Sequence, residues 1–191
     1  IFNNFSKLSL ILSKKTDYLM SSITGIDGLN PTLKSIKFTN TIAIANKESI
    51  ICGWNLIKRE LDKNKTRFIP VDSEHFSLWY GLRPFKSETI EKIYLTASGG
   101  PLFNLPLNKF KNVSIDQALK HPNWSMGKKI SIDSATMMNK VYEVIEAKNI
   151  FNLSYDKIKI LIHPQSYVHT LIKFQNGLIK IIAHDTTMKI P

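Results

Sequence analysis

The sequence has a single cysteine, Cys52, so it can form no internal disulfide and fits a reducing compartment. Cys52 follows a probable helix start in an apolar stretch, which points to a buried structural thiol and not to a nucleophile. No apolar run approaches about 18 residues, so no membrane span is predicted. Residues 1–20 lack the basic, apolar and small-residue succession of a signal peptide, although the first residue is Ile1 and an upstream targeting segment stays open. Internal repeats and low-complexity linkers are absent too. A formal charge of +11 comes without basic runs interleaved with aromatics and without recognition-helix or zinc-finger spacing. Its lysines (Lys14, Lys34, Lys58 and Lys65 among them) are scattered through Asn and Ile, a compositional bias and not a nucleic-acid surface. Such a field still favours capture of an anionic substrate. What remains is a chain of 191 residues, 43% hydrophobic, able to bury a real core as one domain or as pieces of two.

Short apolar runs at Tyr18–Ile23, Thr41–Ala45 and Arg67–Val71 read as strands, separated by helical patterns over Leu33–Phe38 and Ile50–Leu61. Asn30-Pro31-Thr32 reads as a cap with proline at the first helical position. Alternating strands and helices predict a mostly parallel sheet with ligands at the carboxyl ends of its strands. Beyond residue 90 the texture changes. Ile90–Leu95 is a strand entering Ser98-Gly99-Gly100, and residues 101–128 form a Pro-containing excursion that fits a lid. Lys129–Asp133 reads as a strand and Thr136–Lys148 as a helix. Strands at Ile158–Ile162, Tyr167–Phe174 and Leu178–Ala183 follow, the last pair joined by an Asn176-Gly177 hairpin turn. The fold class is α/β (Rossmann-like, partial) passing into an α+β domain with a mixed sheet.

Three stretches carry chemistry. On an extended chain Asp72 and Glu74 project to the same side, where they repel unless a cation lies between them; the plain alternative is a solvated strand end. Glu143 joins them if its helix packs against that strand end. Three oxygen donors with open positions suit Mg²⁺ or Mn²⁺. Ser134-Ala135-Thr136, read as a helix start, offers free amides and hydroxyls to an anion, or is an ordinary cap. Asn139 and Glu143 share a helix face beside Lys140. Ser98-Gly99-Gly100 allows close approach of backbone to a ligand, though glycine pairs are common in loops. Asn46-Lys47-Glu48 stands at a strand end where ligands gather. His121, in the excursion, reads as a surface residue on its own. His75, His163, His169 and His184 lack zinc spacing and read as structural.

Together and in order, several motifs resemble one family, 1-deoxy-D-xylulose 5-phosphate reductoisomerase. They are Gly25-x-x-Gly28-Leu29-x-Pro31-Thr32, Ala45-Asn46-Lys47-Glu48-Ser49, Val71-Asp72-Ser73-Glu74-His75 and Thr96-Ala97-Ser98-Gly99-Gly100-Pro101. His121-Pro122-Asn123-Trp124-x-Met126-Gly127, Ser131-x-Asp133-Ser134-Ala135-Thr136-Met137-Met138-Asn139-Lys140 and His163-Pro164-Gln165-Ser166-x-x-His169 complete the set. The resemblance runs from about residue 18 to the end of the chain.

That resemblance implies NADPH- and metal-dependent isomerisation and reduction of 1-deoxy-D-xylulose 5-phosphate to 2-C-methyl-D-erythritol 4-phosphate. Asp72, Glu74 and Glu143 would hold Mg²⁺ or Mn²⁺, and Ser98, Ser134, Asn139 and Lys140 the phosphate. His121 would lie on a closing lid with Trp124 and Met126. Lys47 would position substrate, with Ser73 and Glu146 lining the same pocket; Gly25, Asn46, Lys47, Glu48 and Gly127 would face the cofactor. The catalytic set is then Lys47, Asp72, Glu74, His121 and Glu143. Residues 1–71 would close a nucleotide-binding domain and 72–191 form most of a catalytic, dimerising domain. The family's glycine-rich dinucleotide fingerprint and C-terminal helical domain have no counterpart in this sequence, so the isolated chain is expected to be inactive. A bacterial cytoplasm is the expected location, with a plastid-type organelle as the alternative. Val141 stands where the family has glycine, and Thr186-Thr187-Met188 where it has Pro-Asp-Met. These departures motivate a second reading, a decayed, non-catalytic basic binding protein.

Overall fold

The computed structural model describes residues 8, 12, 14–83, 89–124 and 126–189. Residues 1–7, part of the segment read for a signal peptide, and the last two residues of the family resemblance lie outside the described residues.

The first half is a three-stranded parallel sheet ordered β1 (Leu19–Ser21), β2 (Thr41–Ile44), β3 (Arg67–Pro70). Helix α1 (Leu29–Ser35) connects the first pair and α2 (Lys47–Asn64) the second. All four residues of β2 are buried, as a central parallel strand requires when both faces are covered. The core combines Ile36, Ile42 and Ile44 with the α2 stripe of Ile50, Ile57 and Leu61, and Trp54 packs against it. Asn46 caps α2 by accepting from the Ser49 amide.

Residues of the second half build a mixed sheet ordered β5 (Ile158–Ile162), β4 (Ile90–Ala97), β6 (Val168–Phe174), β7 (Ile179–Ala183). Strands β4 and β5 are parallel; β4–β6 and β6–β7 are antiparallel. Gly177 turns the β6–β7 hairpin at φ 85, and the Phe174 amide donates to Leu178 across it. Helices α3 (Ser73–Gly81) and α6 (Met138–Phe151) cover one face through Leu78 and Ala147, against Ile93, Leu95, Ile172 and Phe174. Each of those large side chains contributes about 1.5–3 kcal/mol by leaving water. Short helices α4 (Ile115–Leu119) and α5 (Lys128–Ala135) occupy the connection between β4 and β5.

Several sequence expectations are corrected. Lys129–Asp133 is helical, inside α5, and not a strand: its alternation of Ile and Ser mimics period two, but Lys129 pairs with Asp133 one turn on at 2.7 Å. Asp72 is the N-cap residue of α3 and Glu74 lies in its first turn, so the two carboxylates are not alternate residues of a strand. Ser134 and Ala135 end α5 and do not start a helix. Met137, in the left-handed conformation at φ 62, separates α5 from α6. Pro31 is the third residue of α1, which begins at Leu29.

Cys52 is exposed and not buried. It stands two positions past Ile50, about 200° round the helix from the apolar stripe. A thiol reagent should therefore label Cys52 in the native chain without denaturant; protection until unfolding would contradict this placement.

Candidate active site

The carboxyl ends of β2 and β3 deliver Lys47 and Asp72 to one place, and α6 brings Glu143 and Glu146 against them. Lys47, the first residue of α2, pairs with Asp72 and lies 3.4 Å from Glu146 Oε2 and 3.6 Å from Glu143 Oε1. His75 Nε2 donates to the Glu143 carbonyl at 2.9 Å, while its Nδ1 lies 3.1 Å from Asp72 Oδ1. Lys140 contacts Glu143, the Thr96 carbonyl and, at 3.1 Å, Glu74 Oε1. Ser73 donates to Glu74 at 2.6 Å, and Asn139 donates to Glu143.

Burial sets the electrostatics. It lifts the Glu143 carboxyl to about 7, helped by neighbouring Glu74 and opposed by Lys140. It lifts Glu146 as well, against the pull of Lys47. Asp72 goes the other way: burial would raise it, but Lys47 and His75 hold it well below the usual carboxylate range. For His75 burial disfavours the charge, and Asp72 and Glu146 outweigh it, giving about 9. Lys47 and Lys140 are raised despite burial by the carboxylates around them.

One oxygen from each of Asp72, Glu74 and Glu143 fits within a mutual separation of 4.8 Å. Asp72 Oδ1 and Glu143 Oε2 are buried without accepting a hydrogen bond, although each faces a cationic group. Hard oxygen donors with spare lone pairs fit Mg²⁺ or Mn²⁺.

These acids open on a cavity of about 280 Å³. Ten of the residues singled out by sequence line it: Lys47, Asp72, Ser73, Glu74 and Glu143 on one side, with Ser98, His121, Ser134, Asn139 and Lys140. Met126, Trp124 and Met188 line it as well. Gly25, Asn46, Glu48, Gly127 and Glu146 do not; Glu146 is buried and reaches the site through Lys47. Asn46 spends its side chain on capping α2 and on the Ile23 and Gly25 carbonyls, and Glu48 pairs with Lys129 at 3.0 Å. Gly25 and Gly127 both face open space.

The structural reading of His75 from sequence omitted its contact with Asp72. The Asp72-x-x-His75 spacing at a helix start was the available signal, since residues three apart meet on a helix. Val141 is helical and 46% exposed, outside the cavity lining, so it requires no glycine conformation.

Gly100 has a positional reason to be glycine. Its φ is 73, and a Cβ there would lie 2.5 Å from the Ser134 carbonyl oxygen. Gly100→Ala should cost about 1–3 kcal/mol and push the Ser98 loop away from α5. Urea unfolding would measure this, and an unchanged midpoint would count against the packing described.

Residues 68–151 match the family described as 1-deoxy-D-xylulose 5-phosphate reductoisomerase C-terminal domain, and residues 4–53 match 1-deoxy-D-xylulose 5-phosphate reductoisomerase. A relative of that name from Pelagibacter ubique (strain HTCC1062) is 65% identical across 100% of this chain and 50% of its own length. The chain belongs to the 1-deoxy-D-xylulose 5-phosphate reductoisomerase family. A second reductoisomerase, from Clostridium tetani, is 45% identical over 93% of this chain and 46% of its own. Among solved structures, a reductoisomerase in complex with NADPH, fosmidomycin and magnesium superposes with a TM-score of 0.87 at 35% identity, over 96% of this chain and 48% of that one. The reductoisomerase of Zymomonas mobilis in complex with NADPH gives 0.85 at 35% identity, over 96% and 47%. The chain thus spans about half the length of the reductoisomerases it matches.

Proposed function

We propose that this chain is the central part of an NADPH- and divalent-metal-dependent reductoisomerase converting 1-deoxy-D-xylulose 5-phosphate to 2-C-methyl-D-erythritol 4-phosphate. The observation that carries the reading is the carboxylate trio within 4.8 Å, opening on a cavity that Ser98, Ser134 and Asn139 also line. Asp72, Glu74 and Glu143 hold the ion. The chemistry supplied from outside the chain is Lewis-acid polarisation of the substrate's carbonyl and hydroxyl oxygens, and a hydride from the nicotinamide.

The chain's own residues bind and orient. Ser98 Oγ lies 3.0 Å from His121 Nε2 and accepts from the Gly100 amide at 3.1 Å, which leaves its hydroxyl hydrogen for a phosphate oxygen. Asn139, Lys140 and Ser134 supply further donors to that phosphate. Lys47 sits against the acids and orients the reacting carbons, while Trp124 and Met126 exclude water over them. Gly25, Asn46, Glu48 and Gly127 lie on the cofactor side of Lys47. Residues 1–71 complete a nucleotide-binding domain and 72–191 form most of the catalytic domain, which pairs in a homodimer. The bacterial sources of the relatives favour a bacterial cytoplasm.

The test is NADPH oxidation driven by 1-deoxy-D-xylulose 5-phosphate with Mg²⁺ or Mn²⁺. The complete polypeptide should turn over and the 191-residue chain alone should not. A complete polypeptide that folds, binds Mn²⁺ and leaves this substrate untouched would overturn the proposal.

A further inference from the structure

The segment His121–Trp124 is tied to two loops at once. Strands β4 and β5 run parallel, so their carboxyl ends release the Ser98-Gly99-Gly100 loop and the His163-Pro164-Gln165-Ser166 turn on the same edge of the sheet. His121 reaches the first loop, with Nε2 3.0 Å from Ser98 Oγ. Asn123 reaches the second, its Nδ2 donating to the Pro164 carbonyl at 2.5 Å and lying 2.9 Å from Ser166 Oγ.

The histidine is oriented from within the segment. His121 Nδ1 accepts the amides of Asn123 at 3.2 Å and Trp124 at 3.0 Å. Two donors on one nitrogen leave that nitrogen unprotonated, so the ring proton sits on Nε2 and is donated to Ser98. Trp124 meets the His169 ring edge-on at 6.4 Å. The receptor of the second tie is itself unusual. Ser166 is buried and left-handed at φ 53, a sparsely populated region for a residue with a Cβ, and its amide closes the turn onto His163 at 3.0 Å.

We infer that Asn123 is a latch: a positioning residue that holds His121 and Trp124 over the cavity by docking on the Pro164–Ser166 turn. The inference rests on reading the cavity as the site of a phosphorylated substrate. Asn123 does not line the cavity, so its effect passes through its neighbours. Losing the fork frees the segment, weakening ground state and transition state alike, which appears in KM and not in kcat.

In the complete enzyme, Asn123→Ala should raise KM for 1-deoxy-D-xylulose 5-phosphate about tenfold, the factor that a net 1.4 kcal/mol from two modest hydrogen bonds supplies. Its kcat should stay within about threefold. Asn123→Asp keeps the shape but cannot donate to Pro164, so it should fail to rescue; Ser166→Gly keeps the carbonyl acceptor and should be milder. In this chain, amide exchange at Asn123 and Trp124 should accelerate about tenfold in both Asn123 variants while β4 and β6 stay protected. Full rescue by Asn123→Asp, or a KM within twofold of the parent, would overturn the latch. Inactivity of the complete parent enzyme would instead overturn the functional reading, and unchanged amide exchange would then overturn the latch on its own.

Discussion

Glu143→Gln will weaken Mn²⁺ binding by at least about a hundredfold, the upper end of what even an outer-shell change costs a metal site. Glutamine keeps the side chain's size but removes one of the three charges that meet within 4.8 Å. The stability of the chain should respond in the opposite sense. Burial and Glu74 raise the folded-state pKa of Glu143 to about 7, above its unfolded value. That contribution to stability is fully present below the unfolded carboxyl pKa and is lost as pH rises through about 7. The metal-free parent should therefore lose stability across that window, and Glu143→Gln should lack this component. Mn²⁺, which binds the ionised carboxylate, should stabilise the parent more at pH 8 than at pH 6, and the variant at neither. Calorimetric titration and thermal unfolding at the two pH values measure both arms. Retention of Mn²⁺ affinity within threefold by the folded variant would sink the metal assignment.

The second large effect falls on Lys47. Its ammonium lies against Asp72, Glu146 and Glu143, and its side chain is only 12% exposed. Removing one partner of such a cluster leaves buried charge uncompensated, so Lys47→Ala should cost about 3–5 kcal/mol by urea unfolding. Much of that loss is the penalty on the carboxylates left behind. Glu146→Gln, placed in the Lys47→Ala background, should recover at least about 1 kcal/mol, a coupling typical of residues in one ionic network. Additive effects of the two changes would mean that Lys47 and Glu146 do not share a network.

Much of the fold was legible because several signals were strong. Asn176-Gly177 between two apolar runs marks the hairpin, and the spacing of Ile50, Trp54, Ile57 and Leu61 marks α2. Where the reading failed, local pattern and tertiary context disagreed. Lys129–Asp133 alternates like a strand, yet α5 is secured by its own one-turn pairs and by Ser131 donating to the Gly127 carbonyl at 3.0 Å. No local signal announces a left-handed methionine, so the sequence pattern hides the break at Met137 and puts Ser134 at the wrong end of a helix. The motifs identify the acids of the candidate site but suggest the wrong geometry for them. Asp72 and Glu74 converge from an N-cap and a first helical turn, not from alternate positions on a strand. The His75 contact with the Glu143 carbonyl and the docking of Asn123 depend on partners 68 and 43 residues away, beyond any periodicity.

The parallel pairing of β4 with β5 has a topological consequence. Antiparallel neighbours can be joined by two residues, whereas parallel ones need a crossover of at least about a dozen. Here that crossover runs from Ser98 to Lys157. It contains Ser98, His121, Ser134, Asn139, Lys140 and Glu143, so the connection the sheet obliges the chain to make is also the carrier of most of the site. Were β5 reversed, its following turn would emerge about 16 Å away, at the other edge of the sheet, out of reach of an asparagine side chain. Trimming this connection to its geometric minimum would delete the chemistry and, with α6, the cover over one face of the sheet. Changes of length here are therefore poorly tolerated.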